Sequence, residues 1–192
     1  MKRLALAVLA LAATAQGDWP GPLEPQKLVT HLLARPCRVL DTRLPGCQAA
    51  VIWPPSVDPY VCPTGRMANG ETRYLQFQAG ARCQGTTTQP IPLGAKGLLV
   101  TLTAVEPTAE GHLVLYDPYP MTFETGPPPV SSLNFSAGQN AASAVTTALG
   151  QWQFQEPDIP FAPDTALTAR VAGGGSVHVV VDVVGYLATA AP

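Results

Sequence analysis

Two aspartates stand where a carboxylate could do chemistry: Asp41 in RPCRVLDTR (residues 35–43) and Asp182 in SVHVVVDVVGY (residues 176–186). A carboxylate pair could cleave a glycosidic bond, but that chemistry needs the two groups at a controlled separation, and nothing in the spacing fixes one. The plainer expectation is structural. Asp41 and Asp182 satisfy arginines or loop N–H groups at strand ends, where a bidentate Arg–carboxylate pair ties terminal strands together. Arg43, on the same face of an extended segment as Asp41, is expected to pair with a buried aspartate. The histidines His31, His112 and His178 have no metal-like spacing, and no G-x-S-x-G elbow occurs. His178 and Asp182 share a strand face but lie four residues apart, roughly 13 Å, too far for a catalytic hydrogen bond. No catalytic residue is assigned, and no enzymatic activity is expected.

The four cysteines Cys37, Cys47, Cys62 and Cys83 follow one another at intervals of ten, fifteen and twenty-one residues, with no histidine beside any of them. Zinc sites use closely spaced ligand pairs, so no metal is expected, nor any cofactor. An even number of cysteines in an oxidising compartment implies two disulfides, whose connectivity spacing alone leaves open. Four loop aromatics, Trp53, Tyr60, Tyr119 and Trp152, are candidate ligand-binding residues. They could stack on sugar rings or grip a protein partner, although packing inward over the core is the commoner fate of any one large aromatic.

The compartment follows from the start of the chain. MKRLALAVLALAATAQ has Lys2 and Arg3 ahead of an uncharged apolar run, then Ala13-Thr14-Ala15 as a small-x-small cleavage pattern. Residues 1–15 are expected to be a signal peptide cleaved near Ala15, and the protein to be secreted or held at the cell surface. The apolar run is too short to cross a bilayer of roughly 30 Å, and no membrane span or lipid anchor is expected elsewhere. The 192-residue chain carries a formal charge of −2 and has no run of Lys or Arg after Arg3. Nucleic-acid binding, which needs a basic stripe, is therefore not expected.

The elements that must position these residues read as strands. After an N-terminal segment (16–36) in which KLVTHLLA could form a short helix, the chain shows short runs of valine, leucine, threonine and aromatics punctuated by glycine and proline. Its 21 prolines would interrupt long helices. In 97–105 Leu98, Val100, Leu102 and Ala104 form one face and Leu99, Thr101, Thr103 and Val105 the other. After EPTAEG, HLVLYDP sets Leu113 and Leu115 opposite His112, Val114 and Tyr116, so the two runs are predicted to form a β-hairpin or meander. SSLNFSAGQ puts Leu133 and Phe135 on one face before a Gly-Gln turn, and ASAVTTAL follows as another strand. SVHVVVDVVGY sets Val177, Val179, Val181 and Val183 against His178, Val180, Asp182, Val184 and Tyr186, which suits a central strand of a sandwich. Three stretches, 48–64, 117–129 and 151–164, read as long loops. The expected organisation is a single all-β sandwich, antiparallel and either jelly-roll or Ig-like, over 37–187, with 188–192 as a tail.

The series PCRVLDTR, VTLTAVEPTAEGHLVLYDP, SSLNFSAGQ and VVVDVVGYL resembles a β-sandwich module of secreted bacterial proteins whose activity is not established. The resemblance spans residues 36–187 with two interruptions. Members carrying the PCR cysteine tend to have a second one after the next strand, which implies Cys37–Cys83 and leaves Cys47–Cys62 to staple the first long loop. The family's usual asparagines are replaced here by Thr101 and Ser143. Arg43, Asn134, Gln139, Asp41 and Asp182 are expected to be structural polar residues. Asn134-Phe135-Ser136 matches a glycosylation sequon, but strand alternation with a side-chain amide holding a turn explains it better. The functional expectation is a non-catalytic binding or structural module, with cell-surface polysaccharide or another envelope protein as partner. The alternatives are a subunit of a surface assembly or filament, and an extracellular hydrolase of unrecognised type.

Overall fold

The structure, a computed structural model, describes residues 27–44, 64–75, 83, 91–92, 94–117, 129–149 and 165–190. The expected signal peptide, the expected Cys47–Cys62 pair and the aromatics Trp53, Tyr60, Tyr119 and Trp152 lie outside these residues. Among the described residues, nine strands form two antiparallel sheets. The strands are β1 (Leu28–Asp41), β2 (Met67–Ala68), β3 (Thr72–Leu75), β4 (Gly97–Val105), β5 (Gly111–Tyr116), β6 (Leu133–Phe135), β7 (Ala141–Ala148), β8 (Thr165–Val171) and β9 (Ser176–Thr189). One sheet has the order β1-β9-β4-β7, with β2 also pairing β9; the other has the order β3-β8-β5-β6.

Valine content explains why β9 is central. Val177, Val179, Val181 and Val183 are fully buried and meet Leu98, Val100, Leu102 and Ala104 of β4 beneath the same sheet. The second sheet answers with Leu113 and Leu115 of β5, Phe135 of β6, and Leu167, Ala169 and Val171 of β8. Two apolar faces built by period-two alternation thus close on one another as an all-β sandwich.

Three expectations change. The possible helix over KLVTHLLA is instead the first half of β1, which pairs residue by residue with the end of β9 from Leu28↔Thr189 to Leu32↔Gly185. The apolar residues there could serve either period, and the open edge of β9 decides for the strand. The predicted β4–β5 hairpin is an arch: β4 pairs β7 and β9 in one sheet, whereas β5 pairs β6 and β8 in the other. Glu106, at a φ of 48°, turns the chain between them. Lastly, Tyr186 does not share the face of Asp182. A register shift places Val183 opposite Val100 and Gly185 opposite Leu99, so Tyr186 falls opposite Leu98 and packs against the core. An extra residue in a strand reverses which face its successors occupy.

Cys37, buried in β1, is disulfide-bonded to Cys83, joining the edge strand to a segment 46 residues on.

Candidate functional site

The opening motif organises a polar cluster on the outer face of the first sheet. β1 is bulged between Arg38 and Leu40, so that Arg38 pairs Asp182 while Asp41 pairs Val180. The bulge places two residues three apart in sequence on one face, which a regular strand forbids. Arg38 donates to both Asp182 oxygens, Nε to Oδ1 at 2.8 Å and Nη2 to Oδ2 at 3.0 Å. Its Nη1 reaches Asp41 Oδ2 at 3.4 Å. Arg43 closes on Asp41 from the other side, Nε to Oδ1 at 2.8 Å and Nη2 to Oδ2 at 2.6 Å, and adds its backbone N–H to Oδ1 at 3.1 Å. The Asp41 side chain is 1% exposed, against 38% and 42% for the two guanidiniums.

Charge follows geometry. Hydrogen bonding from Arg43 holds the Asp41 carboxyl below its usual 3.8, against the opposing effect of its burial. The Arg38 guanidinium is pushed up chiefly by its bond to Asp182, and that of Arg43 by its bond to Asp41. Next to them, Thr42 Oγ1 accepts the Val179 N–H at 2.9 Å and lies 3.1 Å from His178 Nδ1. Burial, and then the nearby Arg66, push the His178 imidazole below its usual 6.5. Thr42 is itself buried, so this Thr–His contact offers no hydroxyl to an incoming substrate. The cluster joins β1 to β9 and spends its hydrogen-bonding capacity internally.

The other motif residues are equally occupied. The Glu106 N–H is accepted by Asn140 Oδ1 at 2.8 Å, and its carbonyl and carboxylate meet Arg66. Thr108 and Ser176 clasp each other through backbone and hydroxyl. Gly111 is required by close approach: a Cβ there would sit 2.2 Å from the Arg170 carbonyl oxygen and 2.9 Å from the Phe135 ring. Leu133 and Phe135 point into the core, and Ser132 Oγ accepts the Leu115 N–H at 2.9 Å. The amide that holds the turn belongs to Asn140. Asn134 and Gln139 are exposed and make no side-chain hydrogen bond among the described residues, which corrects the role expected of them. Thr101 lies beside Asp182 in register, and Ser143 lies opposite Leu102. Arg38, Thr42 and Asn140 were missed because their partners are set by register and arch geometry. The PCR, DTR and AGQ contexts alone gave no sign of these pairings.

A second polar group lies on the other sheet and differs in kind. Asn134, His112 and Arg170 form one row across β6, β5 and β8. Beside that row an open hollow of about 490 Å³ is lined by Asn69, Glu110, His112, Phe135 and Arg170. Asn69 Oδ1 accepts the Val171 N–H at 3.0 Å, fixing the hollow's edge. Among the described residues, the side chains of Glu110, His112 and Arg170 make no hydrogen bond or ion pair. Chemically, the hollow offers a carboxylate, an imidazole and a guanidinium to a polar ligand. Sequence inspection mentioned His112 but had no signal that would join it to residues on either side of β5. Also among the described residues, no group of three His, Cys, Asp or Glu gathers as for a metal, and no helix is long and apolar enough to cross a membrane.

Comparison with protein-family models, with curated proteins and with solved structures found no match.

Proposed function

We propose that this protein is a non-catalytic secreted or cell-surface binding module, and that glycan of the cell envelope is held in the hollow beside Arg170. One observation carries the reading. Of the two polar groups, the one at Asp41 is consumed in clamping β1 to β9, whereas Glu110, His112 and Arg170 keep their hydrogen-bonding capacity free at an open surface. Planar charged and amide groups around a shallow hollow suit a ligand rich in hydroxyls, which both donates and accepts. The expected signal peptide and the Cys37–Cys83 bond favour an oxidising, extracellular setting for this activity.

Purified mature protein is expected to be retained on isolated cell envelopes or insoluble polysaccharide, and Arg170→Ala with Glu110→Ala is expected to release it. An alanine set at Trp53, Tyr60, Tyr119 and Trp152 asks separately whether the loop aromatics contribute. Retention indifferent to Arg170 and Glu110 would remove the hollow from the proposal. Turnover on glycoside or ester panels would replace binding with the hydrolase reading.

A further inference from the structure

The geometry points to a membrane-docking face on the first sheet, at the end remote from the hollow, which seats the protein on an anionic lipid surface. It is independent of what the hollow binds.

Leu28, Thr30 and Leu32 alternate onto one side of β1. The register sets Thr30 opposite Leu187, Leu187 opposite Gly97, and Leu32 opposite Gly185, which in turn faces Leu99. Directly opposed residues of an antiparallel pair project to the same face. Leu28, Leu32, Leu187 and Leu99 therefore share one side, and it is the outer one, because the intervening Leu33, Tyr186 and Leu98 pack into the core. The two glycines let the leucines lie flat: Leu32 Cδ2 passes 3.3 Å from where a Gly185 Cβ would be, and Leu187 Cδ1 3.1 Å from that of Gly97. Leu32 is 74% exposed and Leu28 46%. Leucines seldom stand so open on a sheet unless something else covers them.

The charge around this face selects the partner. Lys27 and Arg35 are exposed and Lys96 half-buried, and none has an ion pair among the described residues. Among the described residues, the carboxylates carried by the strands of this sheet are Asp41 and Asp182, and both are held by arginines, so the charge left unpaired at this end is positive. By contrast Arg38, Arg43, Arg66 and Arg73 are each paired with a carboxylate. Apolar side chains at an end of the sheet where Lys27 and Lys96 flank the strand starts and, among the described residues, no carboxylate is left unpaired fit an anionic bilayer interface: the leucines enter the acyl boundary and the long cationic side chains reach the headgroups. β4 runs from Gly97, beneath this face, to the arch that leads to Gly111 at the hollow. A molecule seated on its leucines would hold the hollow away from the lipid.

Flotation of the full mature chain with vesicles tests this. Binding is expected to mixed phosphatidylglycerol–phosphatidylcholine vesicles and not to pure phosphatidylcholine. It should weaken about fivefold for each of Lys27, Arg35 and Lys96 changed to glutamine, and vanish at high salt, where the Debye length falls to roughly 3 Å. Leu32→Glu is expected to abolish it while keeping the wild-type melting temperature, since that side chain is exposed. Val130→Glu, at an exposed valine in the segment that precedes β6, is expected to bind as wild type. No flotation with anionic vesicles would overturn the proposal, as would binding that Leu32→Glu leaves intact. Self-association in light scattering that Leu32→Glu abolishes, without vesicle binding, would instead give the face to a second copy. These vesicles contain no glycan, so failure of the hollow to hold sugar leaves the result readable.

Discussion

Asp41 is the residue on which two arginines converge, and the asymmetry of exposure decides what each contributes. Its carboxylate is 1% exposed while Arg43 is 42% exposed, so removing the arginine costs the protein through the charge it leaves behind rather than through the lost Coulomb energy of a solvated pair. Arg38 Nη1 at 3.4 Å and one backbone N–H would remain to hold that charge. Arg43→Ala is accordingly expected to destabilise by about 1 kcal/mol, discounted for the arginine's exposure. Thermal melting should fall by roughly 2–4 °C in a chain of this size. An unchanged melting temperature would show that Arg38 suffices. The aspartates and Arg43 were legible in the sequence because a charge flanked by apolar alternation must find a partner. Arg38 was not, since its pairing with Asp182 depends on the bulge at Val39.

Strands with unbroken alternation could be read directly: β4 and most of β9 need only period two and valine. The elements that were not legible depend on partners far away in the chain. LVTHLLA becomes strand because the end of β9 offers an unpaired edge, and β4 leads to an arch because Asn140 and Arg66 hold Glu106 in the left-handed region. Tyr186 changes face through a one-residue shift that no local pattern announces. The edge position of β1 gives the Cys37–Cys83 bond its energetic sense. β1 is paired on one side only, through a ladder broken in two places, so it is the strand most in need of a covalent tie. Closing 46 residues of chain removes about 4 kcal/mol of denatured-state entropy. A Cys37→Ala/Cys83→Ala variant is expected to lose up to that amount in equilibrium urea unfolding, with a correspondingly lower midpoint. A loss within error would mean that the ladder with β9 and the Arg38–Asp182 pair already hold β1 in place.

The whole molecule has a division of labour: a clamped end where β1, β9 and the arch meet, a polar hollow on the second sheet, and an apolar cationic face on the first. The clamp makes stability pH-dependent in two steps whose signs can be worked out separately. His178 is pushed below its usual 6.5 by burial and by Arg66, so the unfolded chain takes up that proton first. The contribution of neutral His178 is therefore complete above 6.5 and disappears as pH falls through the lower folded value. Asp41 is depressed below its usual 3.8 by Arg43. Its contribution persists above 3.8 and is lost only in stronger acid, as pH falls through the folded value. Melting temperature should thus decline in a first limb that begins as pH falls below about 7 and in a second in stronger acid. His178→Asn keeps a polar group near Thr42 Oγ1 but cannot titrate, so it is expected to flatten the first limb and leave the second. If both proteins lose stability in parallel over the first limb, the titrating group lies elsewhere and the clamp is insensitive above the carboxylate range. If the first limb alone disappears, the Thr42–His178 contact is the part of the lock on the edge of the sandwich that responds to mild acid.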